Sequence, residues 1–245
     1  MLSVDDALKS VLETARPLGA ETVPVTEAAG RVLARPLVAA FDNPPFDASA
    51  MDGYAVRAAD VSAGATLQPI GVAQAGAPFA GDVGAGQCVR IFTGAPLPAG
   101  ADAVVMQEHT QAGDGAVEFT GPAKPGQNTR PRGNDFGAGA EVLPAGSLLT
   151  SYALALAAGC GGELTVARRP RIAIVSTGDE LVAPGETPGP AQIVASNGLA
   201  LRALLTPHAG DIDDRGIVPD NEAALAEALA GAFGSADVVV TIGGA

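Results

Sequence analysis

Hydrophobic and polar positions follow three different rhythms along the chain, and each change of rhythm marks a new part. Residues 3–16 (SVDDALKSVLETAR) repeat at helical spacing, with Val4, Leu8, Val11, Leu12 and Ala15 on one face, so they predict an amphipathic helix. Ser3 fits its N-cap with Asp6 in the first turn, and Pro17 and Gly19 stop it. Residues 21–39 (ETVPVTEAAGRVLARPLVA) predict a short strand, a turn and an extended apolar piece. From 66 to 120, short apolar runs (LQPIGVAQAG, CVRIFTGAPLP, ADAVVMQEHT, GAVEFTGP) alternate with Gly/Pro turns, the spacing of a small antiparallel barrel or sandwich. Residues 41–60 (FDNPPFDASAMDGYAVRAAD) read as a rigid, irregular loop, lacking the Ser/Gly looseness of a linker. Residues 124–150 read as a second loop, followed by a helix at 150–158 and a strand near 163–167.

At Arg171 the rhythm becomes strand-then-helix. RIAIVSTGDEL is an apolar strand running into a polar loop, and QIVASNGLALRALL leads into a helix capped by Ser196 or Asn197. RGIVPDNEAALAEALAGAFG is a strand followed by an Asp220-capped helix ending at Gly234, and SADVVVTIGGA is a strand that meets a Gly pair. Such alternation predicts a parallel sheet with crossover helices. Ligands of these sheets bind at the carboxyl ends of strands, where Thr177-Gly178-Asp179-Glu180 and Thr241-Ile242-Gly243-Gly244 fall. Three or four strands before Ala245 are few beside a typical sheet of roughly five or six, so further chain is expected after this point.

Composition narrows the function. The net charge of −13, from 27 acidic and 14 basic residues, argues against nucleic acid and against an anionic membrane surface. An anionic small molecule would have to be held locally, by a few Arg, by backbone N–H groups or through a divalent cation. Cys88 and Cys160 form no C-x-x-C, and His109 and His208 are the only histidines, so zinc, redox and His-triad chemistry are not expected. MLSVDDALKSVLE carries early acids and no apolar h-region, unlike a signal peptide, which points to the cytoplasm. The charge-free run Val142–Gly162 is interrupted by Pro144 and glycines and makes a poor membrane span.

Four segments hold polar residues in Gly/Pro frames, and each also has an ordinary structural use. In Ser49-Ala50-Met51-Asp52-Gly53-Tyr54, the glycine allows a tight turn and Asp52 can cap it. In Arg90-Ile91-Phe92-Thr93-Gly94-Ala95-Pro96, the Thr93 hydroxyl and Gly94 N–H can meet an anion or simply complete a strand-turn. In Asn128-Thr129-Arg130-Pro131-Arg132-Gly133-Asn134-Asp135, two guanidinium groups can fork onto phosphate or another oxyanion, or form surface ion pairs. In Ser176-Thr177-Gly178-Asp179-Glu180, an acid pair at a strand's carboxyl end suits Mg²⁺ held by one or two carboxylates and substrate phosphates, or a solvated loop.

No single segment is decisive; their order is. FDNPPFDASAMDGYAVR, RIFTGAPLPAGADAVVMQE, NTRPRGND, RIAIVSTGDEL, IVASNGLALRALL and GIVPDNEAALAEAL resemble, in sequence, the segments of the molybdopterin molybdenumtransferases (the MoeA and gephyrin E-domain family). The resemblance runs from about residue 3 to residue 244. It implies an α/β plus β protein, an elongated multidomain chain with an inserted small β barrel or sandwich and an incomplete parallel-sheet, molybdopterin-binding-like α/β domain. The implied division is an elongated linker domain at 1–45 and 136–168, a small β domain at 46–135, and a partial α/β domain at 169–245. The implied reaction inserts molybdenum from molybdate into adenylated molybdopterin and releases AMP, with Mg²⁺ or another divalent metal. It is carried out by a homodimer whose cleft joins the β domain of one subunit to the α/β domain of the other. Other cofactor-biosynthesis proteins are candidate partners.

Carried over position by position, the resemblance implies catalytic roles for Asp52, Thr93, Asp135 and Glu180. It implies substrate binding by Arg130, Arg132, Ser176, Thr177, Gly178, Ser196, Asn197 and Asp220, and metal binding by Asp179 and Glu180. Relatives continue past the Gly pair with a further aspartate and lysines, so this chain is expected to be a C-terminally truncated and catalytically crippled form. A non-catalytic pterin-binding or scaffold module is the alternative from another class. A nucleotide-processing enzyme is a third, against which the MDGYAV and IFTGAP segments weigh.

Overall fold

A computed structural model describes residues 2–243. The chain divides into two compact units. One takes in the segment up to Arg35, Ala145–Leu154 and the segment from Glu163 onward; the other comprises Pro36–Pro144 and Ala155–Gly162.

In the Pro36–Pro144 unit, a six-stranded sheet runs in the spatial order Ala103–Met106, Gly53–Val56, Gln87–Ile91, Thr66–Ala73, Ala116–Phe119, Thr110–Gly113. The expectation of a purely antiparallel unit is corrected at one pairing. Thr66–Ala73 runs parallel to Gln87–Ile91, with a register shift between Pro69 and Val72 where proline cannot donate to the ladder. Period-2 alternation holds on both faces. Val56, Cys88, Ala103, Val105, Val117 and Phe119 fill one core, while Ala55, Val89, Ile91 and Val104 fill the other. Both faces are therefore buried, and the strands read as continuous apolar runs. The 41–60 segment, expected as loop, contributes the inner strand Gly53–Val56. A four-residue strand flanked by irregular backbone leaves too short a period to recognise.

The other unit holds the predicted helix, observed at Val4–Thr14, where the Ser3 hydroxyl accepts from the Asp6 N–H at 3.1 Å. Its apolar stripe stays open, with Val4, Leu8, Val11 and Leu12 all more than half exposed. Ala20–Pro24 pairs antiparallel with Glu163–Ala167 in unbroken register.

The parallel sheet has three strands, Asp211–Val218, Arg171–Thr177 and Val238–Ile242, with Arg171–Thr177 central. The first crossover goes to one side of the central strand and the second returns to the other. The two helices accordingly cover opposite faces. Helix Glu222–Ser235 packs on Ala173 and Val175, whereas Leu201 and Leu205 of helix Ser196–Leu205 pack on Ile172 and Ile174. The strand order thus reverses beside the central strand, where open α/β sheets leave a crevice at their carboxyl edge.

Both predicted caps shift by one residue. Ala195, without a side-chain cap, precedes helix Ser196–Leu205, and Asn221 rather than Asp220 caps helix Glu222–Ser235, accepting from the Ala224 N–H at 2.9 Å. The strand expected from Arg215 begins at Asp211. Its acids point to solvent, and Gly216 (φ +70°) lies where the register slips. Gly244 lies outside the described residues.

Candidate active-site stations

The proposed residues fall into two groups, one in each unit.

In the β unit, Asp52 and Thr93 meet directly although 41 residues apart. Asp52 Oδ1 accepts from the Thr93 N–H and from the Thr93 hydroxyl, both at 2.8 Å. These two bonds, aided by the nearby Arg90 charge, hold the Asp52 carboxyl below the usual carboxylate range. Two readings of the residues are corrected here. Asp52 does not cap its own turn. The Thr93 hydroxyl and the Gly94 N–H are not free for an anion, because the first donates to Asp52 and the second to Ser49 O at 2.9 Å. Gly53 is needed for closeness, not for a left-handed turn: a Cβ there would lie 1.9 Å from Val105 O.

Residues 48–50 form the spine of this station. Ser49 bonds to the 94–95 turn on one side and pairs with Thr129 on the other, with Arg130 opposite Ala48. Arg130 is exposed, and its guanidinium has no hydrogen-bond partner among the described residues. Arg132 takes the structural use weighed for it. Its Nε donates to Asp42, and its N–H donates to Asp47 Oδ1 at 2.8 Å. Asp42 also accepts from the Ala138 N–H at 2.7 Å, and that bond together with Arg132 lowers its pKa. Asp135 is tied by its N–H to Asn43 O at 2.9 Å and leaves its carboxylate exposed, touched only by Asn134 at 3.3 Å among the described residues. Asp52 and Thr93 are therefore bonded to each other, Arg130 lies opposite Ala48 in the strand pair that includes Ser49, and Asp135 is tied to Asn43 of the preceding loop.

In the α/β unit, Ser176 and Thr177 close the central strand. Gly178 (φ +151°) allows Glu180 to fold back, since a Cβ on Gly178 would lie 2.6 Å from Glu180 Oε2. Asp179 Oδ1 accepts from the Asp220 N–H at 3.0 Å, and Thr177 Oγ1 donates to Asp220 Oδ1 at 3.5 Å. Asp179 and Asp220 are thus joined at the carboxyl ends of neighbouring strands, while Glu180 folds back against Gly178. Ser196 and Asn197 open helix Ser196–Leu205, whose first turn has a cavity on either side. One, of about 370 Å³, is lined by the buried Ser176 with Gly198, Asp214 and Ile217. The other, of about 560 Å³, is lined by Asn197, Leu201, Thr241 and Gly243. These are ligand-sized spaces with apolar walls and few polar groups.

The donors fit the expected Mg²⁺ by chemistry: hard carboxylate oxygens, to be completed by substrate phosphate. They do not form a ready-made cage, because no cluster of three or more metal-binding side chains occurs among the described residues. Arg90 and Gln107 went unnoticed in the sequence. The signal was an arginine set between apolar strand positions, in register opposite Tyr54.

Comparison with known proteins agrees with this architecture. Residues 2–161 match the MoeA N-terminal region (domains I and II), and residues 173–245 match a family described as a probable molybdopterin binding domain. The chain is 40% identical to a molybdopterin molybdenumtransferase of Haemophilus influenzae, over all of this chain and 61% of that protein. It is 42% identical to one of Nostoc, over 91% of this chain and 53% of that protein. A molybdopterin biosynthesis MoeA protein of Pyrococcus horikoshii superimposes with a TM-score of 0.88 at 33% identity, over 98% of this chain and 66% of that one. Fold and family matches together define a protein of the molybdopterin-biosynthesis class. The chain belongs to the MoeA family of molybdopterin molybdenumtransferases, and it spans about three fifths of the length of the curated relatives.

Proposed function

We propose that a protein carrying this chain inserts molybdenum into adenylated molybdopterin and releases AMP. One observation carries the reading: within a MoeA-family chain, Asp179 and Asp220 of two strand-end loops are bonded to each other at the carboxyl edge of the parallel sheet, with Glu180 next to Asp179 in the chain, and ligand-sized cavities open at Ser176 and Thr241 of the same sheet. In this reading Asp179 and Glu180 hold Mg²⁺, which supplies charge to the phosphate linkage that breaks. Ser176, Thr177, Gly178, Ser196, Asn197 and Asp220 bind the adenylated pterin. Asp52, Thr93, Asp135 and Arg130 form the second station, where Arg130, with its unpaired fork, takes the oxyanion. Arg132 keeps its outer N–H donors for the same anion while Nε stays on Asp42.

The domain division, the homodimer in which one copy's β station meets the other's α/β station, and the cytoplasmic setting inferred from the sequence belong to the same proposal. No described helix is long and apolar enough to cross a membrane. The test is molybdate- and Mg²⁺-dependent AMP release from adenylated molybdopterin. Asp52→Asn and Glu180→Gln should each lower the rate roughly a hundredfold, the scale of losing one aligned electrostatic group. Pterin binding with no AMP release from the wild-type protein would favour the scaffold alternative.

A further inference from the structure

Arg90 is held more firmly than a surface arginine needs to be. Its Nη1 donates to Gly53 O at 2.8 Å and its Nη2 to Gln107 Oε1 at 2.5 Å. Its guanidinium carbon lies 5.3 Å from the Tyr54 ring centre and 4.7 Å from that of Phe92. These contacts follow from register, since Tyr54 is the cross-strand partner of Arg90 and Phe92 follows it by two residues. An arginine immobilised in this way gives up most of its side-chain entropy, so the arrangement is not that of a free solvated side chain.

What the fork grips is the peptide around Asp52. Gly53 O belongs to the residue after Asp52. Gln107, the other anchor, donates its own N–H to Asp52 O at 3.1 Å. Asp52 is thereby fixed from three sides: Thr93 on the carboxylate, Gln107 on the carbonyl and Arg90 on the following peptide. The Arg90 charge also favours the ionised carboxylate. We infer that Arg90 is a positioning residue, which locks the Asp52 peptide through Gly53 and Gln107 so that the carboxylate faces the reacting ligand in one orientation. The inference rests on the proposed part of Asp52 in molybdenum insertion. It adds a residue, and a reason for arginine specifically: lysine could supply the charge but not the planar two-point fork or the stacking.

The experiment compares the wild-type protein with Arg90→Lys and Arg90→Met. It follows the Asp52 carboxyl titration by carbon-detected NMR alongside molybdate-dependent AMP release. In Arg90→Met the Asp52 pKa should rise but stay below the ordinary carboxylate value, because the two Thr93 bonds remain, and AMP release should fall on the order of tenfold or more, as expected when a reacting group loses its alignment. Arg90→Lys should restore the titration more than the rate, because it returns charge without the fork. An Asp52 titration identical in wild type and Arg90→Met overturns the inference, as does full turnover in a variant whose titration has moved. If Arg90→Met does not fold, Gln107→Ala removes one anchor and should lower the rate in the same direction; an unchanged rate there overturns the inference. A wild-type protein that releases no AMP while the Asp52 titration still answers to Arg90 would refute the proposed function and leave the coupling intact.

Discussion

Gly53→Ala is the sharpest test of how the β station is built. The new Cβ would fall 1.9 Å from Val105 O, 2.8 Å from Val105 C and 3.0 Å from Met106 Cα, all backbone atoms that no side-chain rotation can move away. Real Cβ contacts essentially never come under 3.0 Å, so strands Gly53–Val56 and Ala103–Met106 must part by about 1 Å. A ladder bond stretched that far passes out of hydrogen-bonding range. Overpacking strain of this kind costs about 1–3 kcal/mol, and each ladder bond lost adds about 1 kcal/mol. A loss of roughly 2–4 kcal/mol is therefore expected, concentrated at this strand pair. Hydrogen exchange read by mass spectrometry on peptides covering residues 52–57 and 103–107 would report it as faster local opening. Gly113→Ala is the control: nothing lies within 4 Å of its Cβ and its φ is not positive, so it should be neutral or gain a few tenths of a kcal/mol. Equal protection in wild type and Gly53→Ala would refute the argument from close approach.

Two further predictions concern the framework. Asp237 takes both Nη atoms of Arg168 at 2.9 Å and the Arg171 N–H at 2.8 Å, and these bonds hold its pKa well below the ordinary carboxylate range. Because the folded value is depressed, the stabilisation is present above the unfolded value near 4 and is lost as pH falls through the folded one. Asp237→Asn should then lower Tm at pH 7 and by less at pH 3; a gap that does not shrink in acid would contradict this. Burial pushes the Cys88 thiol up to about 11, so it should resist alkylation at pH 8 in the native protein and react fully in denaturant, followed by mass spectrometry.

The α/β half was readable because its strands and helices are long enough to show their periods, and strand-end loops are where such sheets bind ligands. The cap of helix Glu222–Ser235 was misplaced by one residue for a local reason: Asp220 spends its N–H on Asp179 and its carboxylate on Thr177, leaving Asn221 to cap. The β half was readable as a class and not in its wiring. Parallel pairing of Thr66–Ala73 with Gln87–Ile91 leaves no mark in either strand's own alternation. Within the stations, the sequence order of segments pointed to Asp52 and Thr93. That they bond to each other is long-range information, and so is the grip of Arg90 on the intervening strands. Arg132 shows the opposite case, a motif residue whose Nε and N–H serve the 42–47 loop.

The central claim is that AMP release is coupled to metal insertion and is not mere hydrolysis of a phosphate linkage. Supplying radiolabelled molybdate with adenylated molybdopterin, and counting molybdenum retained in the pterin against AMP released, tests it directly. One molybdenum per AMP is the predicted result. AMP set free without molybdenum entering the pterin, or at the same rate when molybdate is left out, would contradict it.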